Sequence, residues 1–192
     1  GNPKIMNVII SNNIVGQNMY SLNGGGGILC GFSFGSEVLQ LDLNYTQIIG
    51  NTANIGAGIG ALSGIINIDH LELVENVGDF GSAISLGEPL GLAISDIIMN
   101  ITNSTIAHNI GTLGIGMINS SSLNAVNTIF WNNGDVEFSP LPNNNELNLN
   151  LNYSNTEDLW SGIENINENP LFVDTENLDY TLSSLSPCID AG

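Results

Sequence analysis

Asn103-Ser104-Thr105-Ile106-Ala107-His108-Asn109, followed by Gly114-Ile115-Gly116-Met117, is one copy of a unit that returns along the whole 192-residue chain. With the last asparagine as origin, the frame falls at Asn18, Asn51, Asn76, Asn109 and Asn133, at intervals of 33, 25, 33 and 24 residues. Ten and eight residues before each origin stand Val8/Ile10, Leu41/Leu43, Ile66/Ile68, Met99/Ile101 and Leu123/Ala125, all apolar. At minus nine and minus seven the residues are mostly polar: Ile9/Ser11, Asp42/Asn44, Asn67/Asp69, Asn100/Thr102 and Asn124/Val126. Such alternation sends successive side chains to opposite faces, which is the signature of a strand. The density of Asn, Gly, Ser and β-branched residues also disfavours helix.

A second short strand is expected around minus three, at Val15, Ile48, Leu73, Ile106 and Phe130. A third should follow Gly25, Gly56, Gly81 and Gly114, at Ile28, Ile59, Ile84 and Met117. Three short strands recurring every ~25 residues predict one turn of a solenoid that buries its apolar face only against its neighbours. The expected fold is therefore all-β, a right-handed single-stranded parallel β-helix with about three short strands per turn. Its hand comes from the crossover rule together with the family resemblance given below, not from the repeat. Columns such as Leu43-Ile68-Ile101 should form the core. Minus six, held by Asn12, Tyr45, His70, Asn103 and Asn127, should be a bend, since Asn tolerates left-handed backbone.

The two 33-residue intervals place insertions around residues 31–38 and 87–94, expected on one side of the body. Residues 1–139 read as repeat turns, and 140–192 as the last turns and closing segment of the same domain. Leu147, Leu149, Leu151 and Tyr153 continue the alternation, residues 169–174 and 180–182 supply two more short strands, and Ser186–Gly192 is expected to cover an open end.

One basic residue, Lys4, stands against 19 acidic ones, 11 of them between Asp135 and Asp190. Binding to phosphate backbones would lack the counterion release that drives it, so nucleic acid is excluded as a partner. No apolar run reaches the ~20 residues of a membrane-spanning helix. Gly1-Asn2-Pro3 reads as the interior of a longer chain, and Cys30, in an apolar run, as a core thiol.

Several stretches carry a family resemblance: Asn127-Thr128-Ile129-Phe130-Trp131-Asn132-Asn133, Tyr153-Ser154-Asn155-Thr156-Glu157, Asn169-Pro170-Leu171-Phe172-Val173-Asp174 and Ser186-Pro187-Cys188-Ile189-Asp190-Ala191-Gly192. They resemble the C-terminal part of secreted bacterial right-handed β-helix proteins of the pectate-lyase-like superfamily, with its polymorphic outer-membrane-type repeats. The resemblance implies an extracellular or cell-surface location, and a fold shared by surface proteins, polysaccharide lyases and hydrolases. The lyases of that superfamily use Arg or Lys as base, and this chain has no Arg.

The residues themselves offer a carboxylate pair, Asp42 and Asp69, on one outward face in successive turns, as a hydrolase would need. The preferred expectation is instead a non-enzymatic module, either structural or binding neutral polysaccharide or another cell-surface component. Its face would comprise Asp42, Asn44, Asn67, Asp69, Asn100 and Thr102, bordered by Phe32 and Phe34. End-to-end self-association is a further expectation. His70 and His108 occupy different repeat positions and no zinc-ligand spacing occurs, so no metal is expected beyond calcium on acidic loops.

Overall fold

The structure is a computed structural model that describes residues 2–16, 24–31, 38–87, 96–118, 120–141 and 146–191. Most of both expected insertions, with Phe32 and Phe34, lies outside the described residues. The strands are β1 (Lys4–Met6), β2 (Ile9–Ser11), β3 (Ile28–Cys30), β4 (Gln40–Ile49), β5 (Ile59–Ala61), β6 (Gly64–Val74), β7 (Phe80–Leu86), β8 (Ile97–Ala107), β9 (Leu113–Met117), β10 (Ser121–Trp131), β11 (Val136–Pro140), β12 (Leu149–Asn152), β13 (Asn155–Thr156), β14 (Phe172–Asp174) and β15 (Asp179–Leu182).

The chain passes back and forth between two parallel sheets. One has the order β1-β4-β6-β8-β10-β12, with β2 beside β4 and β13 beside β10; the other runs β11-β9-β7-β5-β3. Single parallel bridges at Ile14, Thr52, Val77 and Ile110 form a third line between them. This all-β arrangement of long parallel sheets is consistent with a parallel β-helix. The expected core column is present in register, Leu43 on Ile68 on Ile101 on Ala125, and all four side chains are buried.

The strands expected at minus ten to minus seven and at minus three are two halves of one. β4, β6, β8 and β10 run straight through minus six, where Tyr45, His70, Asn103 and Asn127 take φ of 50, 55, 51 and 51°. One left-handed residue bends a strand without ending it, because pairing resumes on the far side. Hydroxyls repair the interrupted hydrogen bonding there: Ser104 Oγ accepts from Leu71 N at 3.0 Å, and Ser154 Oγ from Thr128 N at 3.3 Å. Minus one is a second left-handed corner, at Gly50, Glu75, His108 and Asn132.

The origin asparagines sit at this second corner with their side chains inward, forming a buried amide ladder. Asn51 Oδ1 accepts from Asn13 N and Nδ2 at 3.0 and 2.8 Å, and Asn76 Oδ1 from Asn51 N and Nδ2 at 2.9 and 3.0 Å. Asn109 Oδ1 accepts from Asn76 N and Nδ2 at 3.0 and 2.9 Å, and Asn133 Oδ1 from Asn109 Nδ2 at 2.7 Å. The first origin is therefore Asn13, not Asn18, and Ile5 rather than Ile10 pairs with Leu43. Repetition alone could not choose between two asparagines five residues apart.

The third strand contains the expected in-register column Ile28, Ile59 and Ile84, but Ile115 rather than Met117 pairs with Ile84. A register shift in β7 between Phe80 and Ile84 displaces the count. Both cysteines are free thiols, and burial pushes the Cys30 thiol up to about 12.

The far end of the core is covered by the segment after β13, where Trp160 packs edge-on against Phe138 at 5.4 Å. The last residues do something else. β14 and β15 pair antiparallel and lay Phe172 and Tyr180 over Ile49, Val74, Ala107 and Trp131, an apolar outward column at minus two. Cys188 lies beside Asn155, whose Nδ2 donates to its sulfur at 3.2 Å. β14 and β15 thus dress the flank of the stack.

Candidate functional site

Parallel in-register pairing stacks outward side chains as strictly as inward ones. Asp42, Asn67, Asn100 and Asn124 form one column, linked by Asn67 Nδ2 to Asp42 Oδ1 at 3.0 Å, Asn100 Nδ2 to Asn67 Oδ1 at 2.9 Å and Asn124 Nδ2 to Asn100 Oδ1 at 2.9 Å. Asn44, Asp69 and Thr102 form the next column. The six polar residues expected on one face are indeed brought together, as two neighbouring columns of a rigid sheet.

Asp69 is the most heavily engaged of them. Its Oδ1 accepts from Thr102 Oγ1 at 2.9 Å and Asn103 Nδ2 at 2.8 Å, while Oδ2 lies 2.9 Å from His70 Nδ1. Partial desolvation opposes its charge, but those donors outweigh it and hold the carboxyl below the usual range. Asp42 is likewise held low, by hydrogen bonds from Asn67 and Gln40, with a smaller contribution from Lys4 at 3.9 Å. A hydrolase needs one carboxyl that keeps its proton near neutrality. Both members of this pair are instead stabilised as anions.

Among the described residues, two aromatic rings border the face. Tyr45 and His70, at the minus-six corner beside Asn44 and Asp69, stack with ring centroids 4.5 Å apart. The sequence presented them as fillers of a bend, and their shared repeat position was the signal that they would meet.

Two further groups escaped the sequence reading. Tyr180 donates its hydroxyl to Glu75, and His108 meets Tyr180 edge-on at 5.5 Å and places Nδ1 3.8 Å from Glu75 Oε1. Beside them Glu75, His108, Asn132 and Asp135 rim an open cleft of about 260 Å³. Glu137 is 4 % exposed and accepts from Asn133 Nδ2 at 3.4 Å and Glu157 N at 3.1 Å. Burial, reinforced by Glu157 and Asp158, pushes its carboxyl up to about 8 despite those two donors.

Among the described residues no three His, Cys, Asp or Glu gather as a metal ion would require, and no helix is long and apolar enough to cross a membrane. Comparison with protein families, curated proteins and solved structures returned no match to this chain.

Proposed function

We propose that this chain is a right-handed, single-stranded β-helix of the pectate-lyase-like kind, serving outside the cell or on its surface as a non-enzymatic module that binds neutral glycan. The observation that carries the reading is the pair of outward columns Asp42-Asn67-Asn100-Asn124 and Asn44-Asp69-Thr102. A regular array of carboxylates and carboxamides on a stiff sheet matches the hydroxyl-rich, uncharged surface of a polysaccharide. The net charge of −18 disfavours anionic partners at long range. Anionic stabilisation of both Asp42 and Asp69 argues against their use as an acid–base pair.

The double substitution Asn67→Ala/Asp69→Ala tests the face. It removes half-buried and exposed hydrogen bonds worth about 1 kcal/mol each, so the fold should persist while signals on a neutral-glycan array fall at least tenfold. Undiminished signals from a folded double variant would show that the ligand binds elsewhere or not at all.

A second reading, end-to-end association of two copies, draws on β1 and β2, which among the described residues pair on one side only. Met6, Ile9 and Ile14 there are 49, 65 and 78 % exposed, and unpaired strand edges invite pairing. Sedimentation should then show a concentration-dependent dimer that Ile9→Lys abolishes. A monomer at every concentration excludes this reading.

A further inference from the structure

The minus-six corner is asparagine in three turns, at Asn7, Asn103 and Asn127. Left-handed backbone suits that residue and strains a bulky one. In two consecutive turns the corner carries rings instead: Tyr45 at φ 50° and His70 at φ 55°. The Tyr45 side chain is 55 % exposed, so little burial offsets its strain. Stacking on His70, with planes inclined by 26°, recovers part of it. Non-glycine residues held in left-handed conformation with no packing reason are a pointer to function. Tyr153, the other ring in this column, differs in having the chain's own C-terminal residues beside it.

Tyr45 is also supported from one side. Its support, His70, is fixed by the 2.9 Å contact of Nδ1 with Asp69. Its other side faces the preceding turn, where the in-register corner is Asn7 and not a ring. One residue away, the Asn44 carboxamide makes no side-chain hydrogen bond to a described residue, and Asp42 stands beyond it on the same face.

We infer that Tyr45, backed by His70, is the platform for one neutral pyranose ring, whose hydroxyls are taken by Asn44 and Asp42. A pyranose presents an apolar C–H face that lies flat on an aromatic ring, while its equatorial hydroxyls radiate sideways toward acceptors and donors at the rim. The carboxylates of Asp42 and Asp69 repel uronates and sulfated sugars, which selects uncharged rings. This inference rests on the glycan-binding reading above and names its recognition element.

The test compares wild type, Tyr45→Phe and Tyr45→Asn by calorimetric titration with oligomers of glucose, galactose and mannose and with uronate oligomers, alongside thermal melts. Wild type is expected to bind a neutral series and not the uronates. Tyr45→Phe, which keeps the ring, should stay within about threefold. Tyr45→Asn, which installs the residue used at Asn7, Asn103 and Asn127, should lose at least tenfold in affinity while melting at the same temperature or higher. Undiminished binding by Tyr45→Asn overturns the platform and leaves the glycan reading standing. A lower melting temperature for that variant makes the ring a structural element and overturns it equally. Absence of binding by wild type to every oligomer overturns both.

Discussion

Asn76→Ala is expected to lower the melting temperature by roughly 10–20 °C, or to prevent accumulation of folded protein. Asn76 is fully buried, and its side chain serves five hydrogen bonds: Oδ1 accepts from Asn51 N and Nδ2, and Nδ2 donates to Asn109 Oδ1, Ile48 O and Val74 O. Alanine leaves the buried Asn51 N without its partner and strips one bond each from Asn51 Nδ2, Asn109 Oδ1, Ile48 O and Val74 O. An orphaned buried donor costs about 1–3 kcal/mol and each other lost bond about 1 kcal/mol, so a total near 5 kcal/mol approaches the whole margin of many domains. At this chain length each kcal/mol shifts the midpoint by about 2–4 °C. Asn67→Ala on the exposed ladder is the control, since water replaces the bonds it loses, and a shift of about 3 °C or less is expected. Equal shifts from both variants in circular-dichroism melts would show that the inner ladder holds nothing the outer one does not.

Glu137→Gln is expected to stabilise the protein at alkaline pH and to flatten its pH profile. The unfolded carboxyl titrates near 4.5 and the folded one at about 8. Folding therefore favours the protonated form. The stability linked to that proton is fully present below 4.5 and is lost as pH rises through about 8. The difference is worth up to roughly 5 kcal/mol, and glutamine mimics the neutral group at every pH. The variant should melt within a few degrees of wild type at pH 5 and roughly 10 °C higher at pH 9. Melting curves that run parallel across this range would mean that Glu137 is already charged in the fold.

The sequence made the repeat legible because core apolar residues and outward polar ones recur at fixed offsets, and parallel pairing turns each offset into a column. Leu43, Ile68 and Ile101 on one side, and Asn67 and Asn100 on the other, were assigned correctly on that ground alone. Corners were harder. Period-two alternation looks broken at Tyr45 and His70, so one bent strand reads as two. The first turn was misplaced because Val8 and Ile10 mimic a pair that Lys4–Met6 actually provides. Glu137 and the Glu75–His108–Tyr180 group were invisible for a different reason. Their partners come from residues 157 and 180, segments outside the repeat, where offset carries no information.

The amide ladder also has a direction. Every side-chain bond in it runs the same way, from the Nδ2 of one turn to the Oδ1 of the next, from Asn13 to Asn133. Aligned amide dipoles add along the axis, as they do in an α-helix, and each bond polarises its neighbour. The array therefore presents a carboxamide oxygen at Asn13 and a carboxamide N–H at Asn133, where it meets the Glu137 carboxyl. The sole lysine, Lys4, lies in the first turn, at the negative end of this array. Because each added turn lengthens the array, a longer stack would be more strongly poled, and the two ends would differ in their appetite for ions even if their shapes were the same.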